Sequence, residues 1–407
     1  MRICTRGAAL ILTAAALILA AVACSAGDDP RRPAAGPART TAPGPAVPSG
    51  LSGSGDAAEP DGSGAGARTP GTMVPVAAPH RARLPWGYFV LADRIAAKLA
   101  AGDALNFVMS LTAVGDADHA ASLGHGWRGA AAEAAEAHGI GIDAQVIGPH
   151  SADAVAQALA ITSLVASGDI DCLAVEAANP RLLDRAIGVA VDAGIPVFAV
   201  AGDSPGSQRF AFFGIDAYAA GRSTGRLAGE WAAEGGILVR RAAVLTGNAR
   251  SQRSFDLMRG FVDGLAGIHP GAEFVNGPAD VASFGFEPPQ VRAATEAWVL
   301  DNLDVDMVFH TDGGVEALAQ VMAEQSLYGD MYAVGFHMSP PMAGAIRDLL
   351  VAISMAERSA EQARRAGAAC SEFLLAGVLE TGRPAVTPLP VTRDGVDAID
   401  WSLPENR

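Results

Sequence analysis

The strongest constraint on this chain is an alternation of short apolar runs with helix-length segments, played through twice. Leu105 to Leu111 is the first apolar run, and Ala120 to His138 reads as a helix closed by Gly139. Further strands are read at Ala144 to Ile147, Asp171 to Glu176 and Ile195 to Ala201, with helices at Ala152 to Ser167 and Pro180 to Ala193. The pattern then restarts. Strands fall at Ala242 to Leu245, Glu273 to Asn276, Met307 to His310 and Met331 to Phe336, with helices at Ser254 to Leu265, Pro289 to Asp301 and Gly314 to Gln325. Short, continuously apolar strands separated by such helices predict βαβ units and a parallel sheet covered on both faces. Two successive sets predict an α/β fold of two doubly wound lobes with a cleft between them. The roughly 325 residues beyond position 80 exceed what a single core carries, in agreement with two lobes. Ligands of open α/β sheets sit outside the carboxyl ends of the strands, so the residues just after each strand are the candidates.

The N-terminus carries no such pattern. Arg2 and Arg6 precede an apolar run of 16 residues, Ala8 to Ala23, followed by Cys24. A charged start, a short greasy segment and small residues before the cut site make an export signal over 1–23. The run is shorter than the ~20 residues a spanning helix needs. Cys24 after Val22-Ala23 fits a lipoprotein box, with Ala21 where Leu is more usual; the alternative is an ordinary signal with a chance cysteine. Residues 24–80 are rich in Pro, Gly, Ala, Ser and Thr and are expected to be a disordered tether. The mature protein is therefore expected outside the cytoplasmic membrane, held to it by the Cys24 lipid.

The formal net charge of −15, with Lys98 as the one lysine, argues against a nucleic-acid partner. Once Cys4 and Cys24 are set aside, Cys172 and Cys370 remain, in no Cys-x-x-Cys pair, so cysteine-based metal or redox chemistry has no support. Cys172 lies in an apolar strand and Cys370 in an amphipathic helix, which favours two separate buried thiols over a disulfide. There is no Gly-x-Ser-x-Gly elbow, P-loop or Gly-x-Gly-x-x-Gly at a strand-to-helix turn, so the chain is read as a binding protein and not an enzyme, without cofactor.

At Asp203-Ser204-Pro205-Gly206-Ser207-Gln208-Arg209, continuing through Gly214-Ile215-Asp216 to Gly221-Arg222, the residues carry a resemblance. With Gly194-Ile195-Pro196-Val197, Leu245-Thr246-Gly247-Asn248, Arg259-Gly260-Phe261, Asp312-Gly313-Gly314 and Val334-Gly335-Phe336, in order, the chain resembles the ribose-type (type I) periplasmic sugar-binding proteins of ABC importers. The resemblance covers about Ala104 to Val396 and implies two Rossmann-like lobes joined by a three-strand hinge, with crossings near Gly214-Ile215, Met355 and Thr387. The first lobe is then 81–214 with 356–386, and the second 215–355 with 387–407. It also implies a sugar or sugar-like ligand in the cleft, an ABC permease as partner, and a monomer. Asp216 is the expected N-cap of the second lobe's first helix.

The site departs from the family pattern. The family's aromatic segment matches Ala120-Ala121-Ser122-Leu123, leaving Trp127 as either a replacement platform or a helix-core residue. The family arginine aligns with Leu257, so Arg250 or Arg253 is the candidate donor, each also readable as a solvated helix-start arginine. The family's Gly-Phe-Asp reads Gly335-Phe336-His337, and its Gln at the second crossing aligns with Met355. Asp203, Asp312 and Glu176 stand at strand ends as candidate ligand carboxylates, or as loop carboxylates in water. His119, His125, His310 and His337 also fall at strand ends. With Asp116 and Asp118 nearby a metal site is conceivable, but no His-x-x-x-His spacing supports one, and histidines bonding a polar ligand are the more economical account. The departures leave a second reading open, a surface receptor for a polyol, nucleoside or signal molecule coupled to a signalling partner. Finally, Phe89 to Ala100 is read as an amphipathic helix that packs on the first lobe, with a permease-docking role as the alternative.

Overall fold

The computed structural model describes residues 72–75 and 80–406. The export signal, Cys24 and the tether up to residue 71 lie outside the described residues. The stretch read as tether nonetheless contributes a strand: Thr72–Pro75 runs antiparallel to Val378–Thr381. Backbone pairing needs no apolar periodicity, so composition did not reveal it. The helix expected from Phe89 begins only at Asp93 (Asp93–Ala101), and ahead of it Arg81–Leu84 and Gly87–Val90 form an antiparallel hairpin. The period of two decides this: Ala82, Leu84 and Phe89 are buried while Arg81, Arg83 and Tyr88 face outward. Gly87, at φ 148°, supplies a backbone conformation at the turn that other residues rarely adopt.

The hairpin and helix pack on the first lobe, as expected of this segment. Phe89 meets Phe210 and Phe373 edge to face, with centroids 4.8 and 5.7 Å away. Arg94 and Lys98 reach the fully buried carboxylate of Asp171 at 2.7 and 2.8 Å, and Asn106 N donates to it at 2.8 Å. That carboxylate is fully satisfied, as a buried charge must be.

The first lobe holds a parallel five-stranded sheet in the spatial order Ile142–Ile147, Leu105–Ser110, Cys172–Val175, Val197–Val200, Phe212–Phe213. The second holds Glu273–Phe274, Arg241–Thr246, Met307–His310, Tyr332–Gly335, Val351–Ala356 and Leu389–Val391, in that order, with Ala282–Ser283 also on Arg241–Thr246. All pairings there are parallel except Leu389–Val391 against Val351–Ala356. In both sheets the strand that comes first in the chain is internal, between Ile142–Ile147 and Cys172–Val175 in the first and between Glu273–Phe274 and Met307–His310 in the second. Alternate residues feed opposite cores: Ala243 and Leu245 face one cluster, Ala242 and Val244 the other. This is the doubly wound, two-lobed architecture that the strand–helix alternation predicts.

The chain passes between the lobes three times. After Phe213 it enters the second lobe's helix Ala217–Glu234, where Asp216 caps Ala219 N at 3.1 Å. From Val351–Ala356 it returns to the helix Ser359–Ser371, which packs on the first lobe's helix Ala117–His138. Near Gly382 to Ala385 it runs beside the first passage, with Val386 N donating to Gly214 O at 2.8 Å, and then joins the second sheet at Leu389.

The cysteines are not separate thiols. Cys172 and Cys370 form a disulfide, their Cα atoms 6.0 Å apart across a sequence separation of 198. The strand and the helix each bury their cysteine as expected, but the returning helix is laid over that strand, and a pairing so distant in sequence leaves no spacing to read.

Candidate functional site

The switch point of each sheet, where strand order reverses, is where a doubly wound fold opens a crevice. In the first lobe it lies between Leu105–Ser110 and Cys172–Val175, and Glu176 emerges there with its N–H bonded to Ser110 O at 2.9 Å. Its carboxylate accepts from Thr112 N at 3.0 Å and meets His119 Nε2 at 2.8 Å. Burial opposes a charged imidazole, but the charge and hydrogen bond of Glu176, with Glu357 and Asp116 behind them, hold the His119 pKa at about 9. Burial likewise opposes the Glu176 carboxylate, yet His119, the Thr112 N–H and Arg253 bring it below its ordinary value.

In the second lobe the switch point lies between Arg241–Thr246 and Met307–His310, and Asp312 occupies it. Its carboxylate accepts from Gly247 N at 2.7 Å, Thr311 Oγ1 at 3.1 Å and Gly314 N at 3.2 Å, with His310 Nδ1 3.3 Å away. Against burial, His310 and the two backbone donors hold its pKa well below the usual carboxylate range. His310 itself is buried at the end of its strand.

Three further groups face the same cleft. His337 Nε2 lies 3.5 Å from Glu316 Oε1, and Ser339 Oγ donates to that same oxygen. Burial opposes the charged form of each, but the pairing raises His337 and lowers Glu316. Arg253, on the helix Gln252–Ile268, pairs with Glu357 of the second passage at 2.5 Å and lies 5.7 Å from the Phe336 ring centroid. Asp116 and Glu357 act on both His119 and His337, one imidazole from each lobe. Glu357, paired with Arg253, thus acts on an imidazole of each lobe, while Arg253 also acts on Glu176. At the cleft edge beside the first passage, Asp203 takes a two-pronged pair from Arg209, with Nη2 at 2.9 Å, and a longer contact from Arg383 at 3.4 Å.

Two alternatives that the sequence leaves open are decided by burial. Trp127 is 0% exposed and packs against Phe107 at 6.0 Å, so it is a core residue and offers no platform. Its helix turns that face inward against the sheet and the returning helix. Arg250 is exposed, its N–H bonded to Asn248 Oδ1, and Arg253 is the arginine that pairs with Glu357. His125 is exposed and pairs loosely with Glu405 at 3.8 Å. Among the described residues, no group of three or more His, Cys, Asp or Glu is arranged to hold a metal ion.

Sequence reading missed Glu316 and Phe286. Phe286 is 66% exposed, beside Gly247, where a Cβ would stand 2.5 Å from its ring. Gly247 is the residue whose N–H holds Asp312, so an open aromatic face adjoins the second switch point. Its loop is pinned by Phe284 N to Thr246 O at 3.0 Å and Gly285 N to Gly247 O at 3.1 Å. An isolated Phe in a loop gives no periodic signal, and only the packing on Gly247 marks it.

Residues 120–375 match the family described as the periplasmic binding protein domain. The chain belongs to that family. No curated protein matches it. A glucose-galactose binding protein from Geobacillus stearothermophilus aligns at 20% identity and TM-score 0.60, over 72% of this chain and 98% of that one. An ABC-transporter solute-binding protein from Burkholderia graminis, in complex with D-arabinose, gives 17% and 0.64 over 72% and 97%. A sugar-binding protein of a Bacillus halodurans sugar ABC transporter gives 18% and 0.61 over 72% and 99%. At these identities the likeness is one of fold, and it makes this member of the family a type I periplasmic binding protein in architecture. Family membership also implies an extracytoplasmic location.

Proposed function

We propose that the chain is a monomeric, membrane-tethered substrate-binding lipoprotein that captures a sugar or sugar-like molecule between its lobes and delivers it to an ABC permease. The observation that carries the reading is the setting of the two switch points. Each presents a carboxylate, Glu176 or Asp312, whose charge is already balanced by donors from the protein itself, and the second adds the open ring of Phe286. Balanced ion pairs suit an uncharged ligand rich in hydroxyls, which can both donate to the carboxylates and accept from the cations. An aromatic face suits the apolar side of a sugar ring. The roles named in the sugar-binding relatives favour transport over the receptor alternative. The lipid on Cys24 would keep the protein beside its permease, and the role requires binding and release alone.

A thermal-shift panel of pentoses, hexoses, polyols and nucleosides tests this. A ligand at 100 times its dissociation constant adds ~2.7 kcal/mol of stability. Phe286→Ala should leave the unliganded melt unchanged, because the ring is largely exposed, and should weaken binding by about 1 kcal/mol, roughly fivefold. A panel in which no sugar or polyol shifts the melt counts against the assignment.

A further inference from the structure

The end of the chain does not stay with the lobe that holds its last strand. After Leu389–Val391 has joined the second sheet, Trp401 inserts into that lobe's core, 3% exposed, with Nε1 donating to Val396 O at 2.8 Å. The next residues leave it. Pro404–Asn406 forms a 3-10 turn that packs on Ala117–His138 and Ser359–Ser371, both helices of the first lobe, and Glu405 lies 3.8 Å from His125. The sequence reading assigned all of 387–407 to the second lobe.

The span between these anchors is not slack. Ser402 N and Oγ donate to Asp400 Oδ1 at 3.0 and 2.6 Å, and Asn406 Nδ2 reaches back to Asp400 O at 2.9 Å. Leu403 N bonds to Asp400 O, and Asn406 N to Leu403 O, at 3.3 and 3.2 Å. A short, internally bonded segment rooted in one lobe and seated on the other resists their separation. Its seat is also close to the site: His125 lies less than two turns along the helix from His119, and Ser359–Ser371 begins directly after Glu357 and Arg358. Arg358 holds a left-handed φ of 59° where the second passage bends into that helix, a conformation costly for a side chain of its kind.

We propose that residues 402–406 are a strap that holds the lobes in the arrangement seen here, and that they must leave the first lobe before the cleft opens. The three covalent passages act as a hinge, and the strap adds a fourth, breakable connection that sets how far the hinge swings. Truncation is tolerable on physical grounds, because the core anchor Trp401 lies before the cut.

The inference rests on reading the cleft as a binding site that opens and closes, and its test uses no ligand. In the full chain, with Cys4→Ser and Cys24→Ser to leave the buried disulfide as the remaining cysteine pair, spin labels at the exposed positions Glu136→Cys and Gln320→Cys report the inter-lobe distance by pulsed EPR. Ending the chain after Leu403, or the single change Glu405→Lys, should broaden the distribution and move it to longer distances. An oxidised His125→Cys/Glu405→Cys pair, labelled with unnatural amino acids at positions 136 and 320, should hold it short and narrow. Distributions of the truncated and Glu405→Lys chains that coincide with the parent's would overturn the strap, as would a cross-linked chain as broad and as long as the truncated one. A strap that fails leaves the sugar assignment to the thermal-shift panel.

Discussion

Replacing His119 with glutamine removes the imidazolium 2.8 Å from Glu176 Oε1 while keeping a hydrogen-bond donor at the position. The folded protein holds His119 at about 9 against an ordinary 6.5, and the pairing with Glu176 outweighs the opposing effect of burial. At about 1.4 kcal/mol per pKa unit, that difference corresponds to about 3 kcal/mol, an upper figure because the side chain keeps 31% of its exposure. A pKa raised by folding stabilises fully below the unfolded value, and the contribution is lost as pH climbs through the folded one. The parent should therefore exceed His119→Gln by up to about 3 kcal/mol at pH 6, and the gap should close by pH 10. His337 is raised by Glu316 and works in the same direction, so the parent's pH dependence alone does not isolate His119, whereas the difference between parent and variant does. Urea unfolding of both proteins at the two pH values measures it. A gap of equal size at both would refute the coupling.

Two further changes follow from the same geometry. Asp203→Ala strands the Arg209 guanidinium, 11% exposed, and frees Arg383 of the third passage, so it should cost about 3–5 kcal/mol and lower the melting temperature even without ligand; an unchanged melt by calorimetry would show the pair to be expendable. Opening the Cys172–Cys370 bridge by Cys370→Ser releases a loop spanning a sequence separation of 198, worth up to about 5 kcal/mol in chain entropy. Calorimetry with and without reductant should show a drop in the parent and none in the variant.

The legible parts of this fold were those encoded by period and punctuation. Met307–His310 was read to the residue, and the helix at Pro180 was read with its end displaced by one position, because a buried parallel strand and a Pro-started, Asn179-capped helix announce themselves locally. Of the hairpin at Arg81–Val90, the end at Phe89 and Val90 reads as the start of the helix that follows, because apolar residues over so short a span satisfy a helical period as readily as a strand's. At the site, position was legible and chemistry was not. Asp203, Asp312 and Glu176 follow strands, but that Asp203 is locked by Arg209 and that Glu316 stands beside His337 depends on side chains from elements far apart in sequence.

Local pattern along the chain was enough for the two lobes and the strand ends that face the cleft. These follow from local hydrophobic pattern, which each segment carries alone. Tertiary structure decided the partners: Cys172 with Cys370, Arg253 with Glu357, Phe286 against Gly247, and the C-terminal residues across to the first lobe. Such pairings depend on how packed elements are laid over one another, and no spacing along the chain records that.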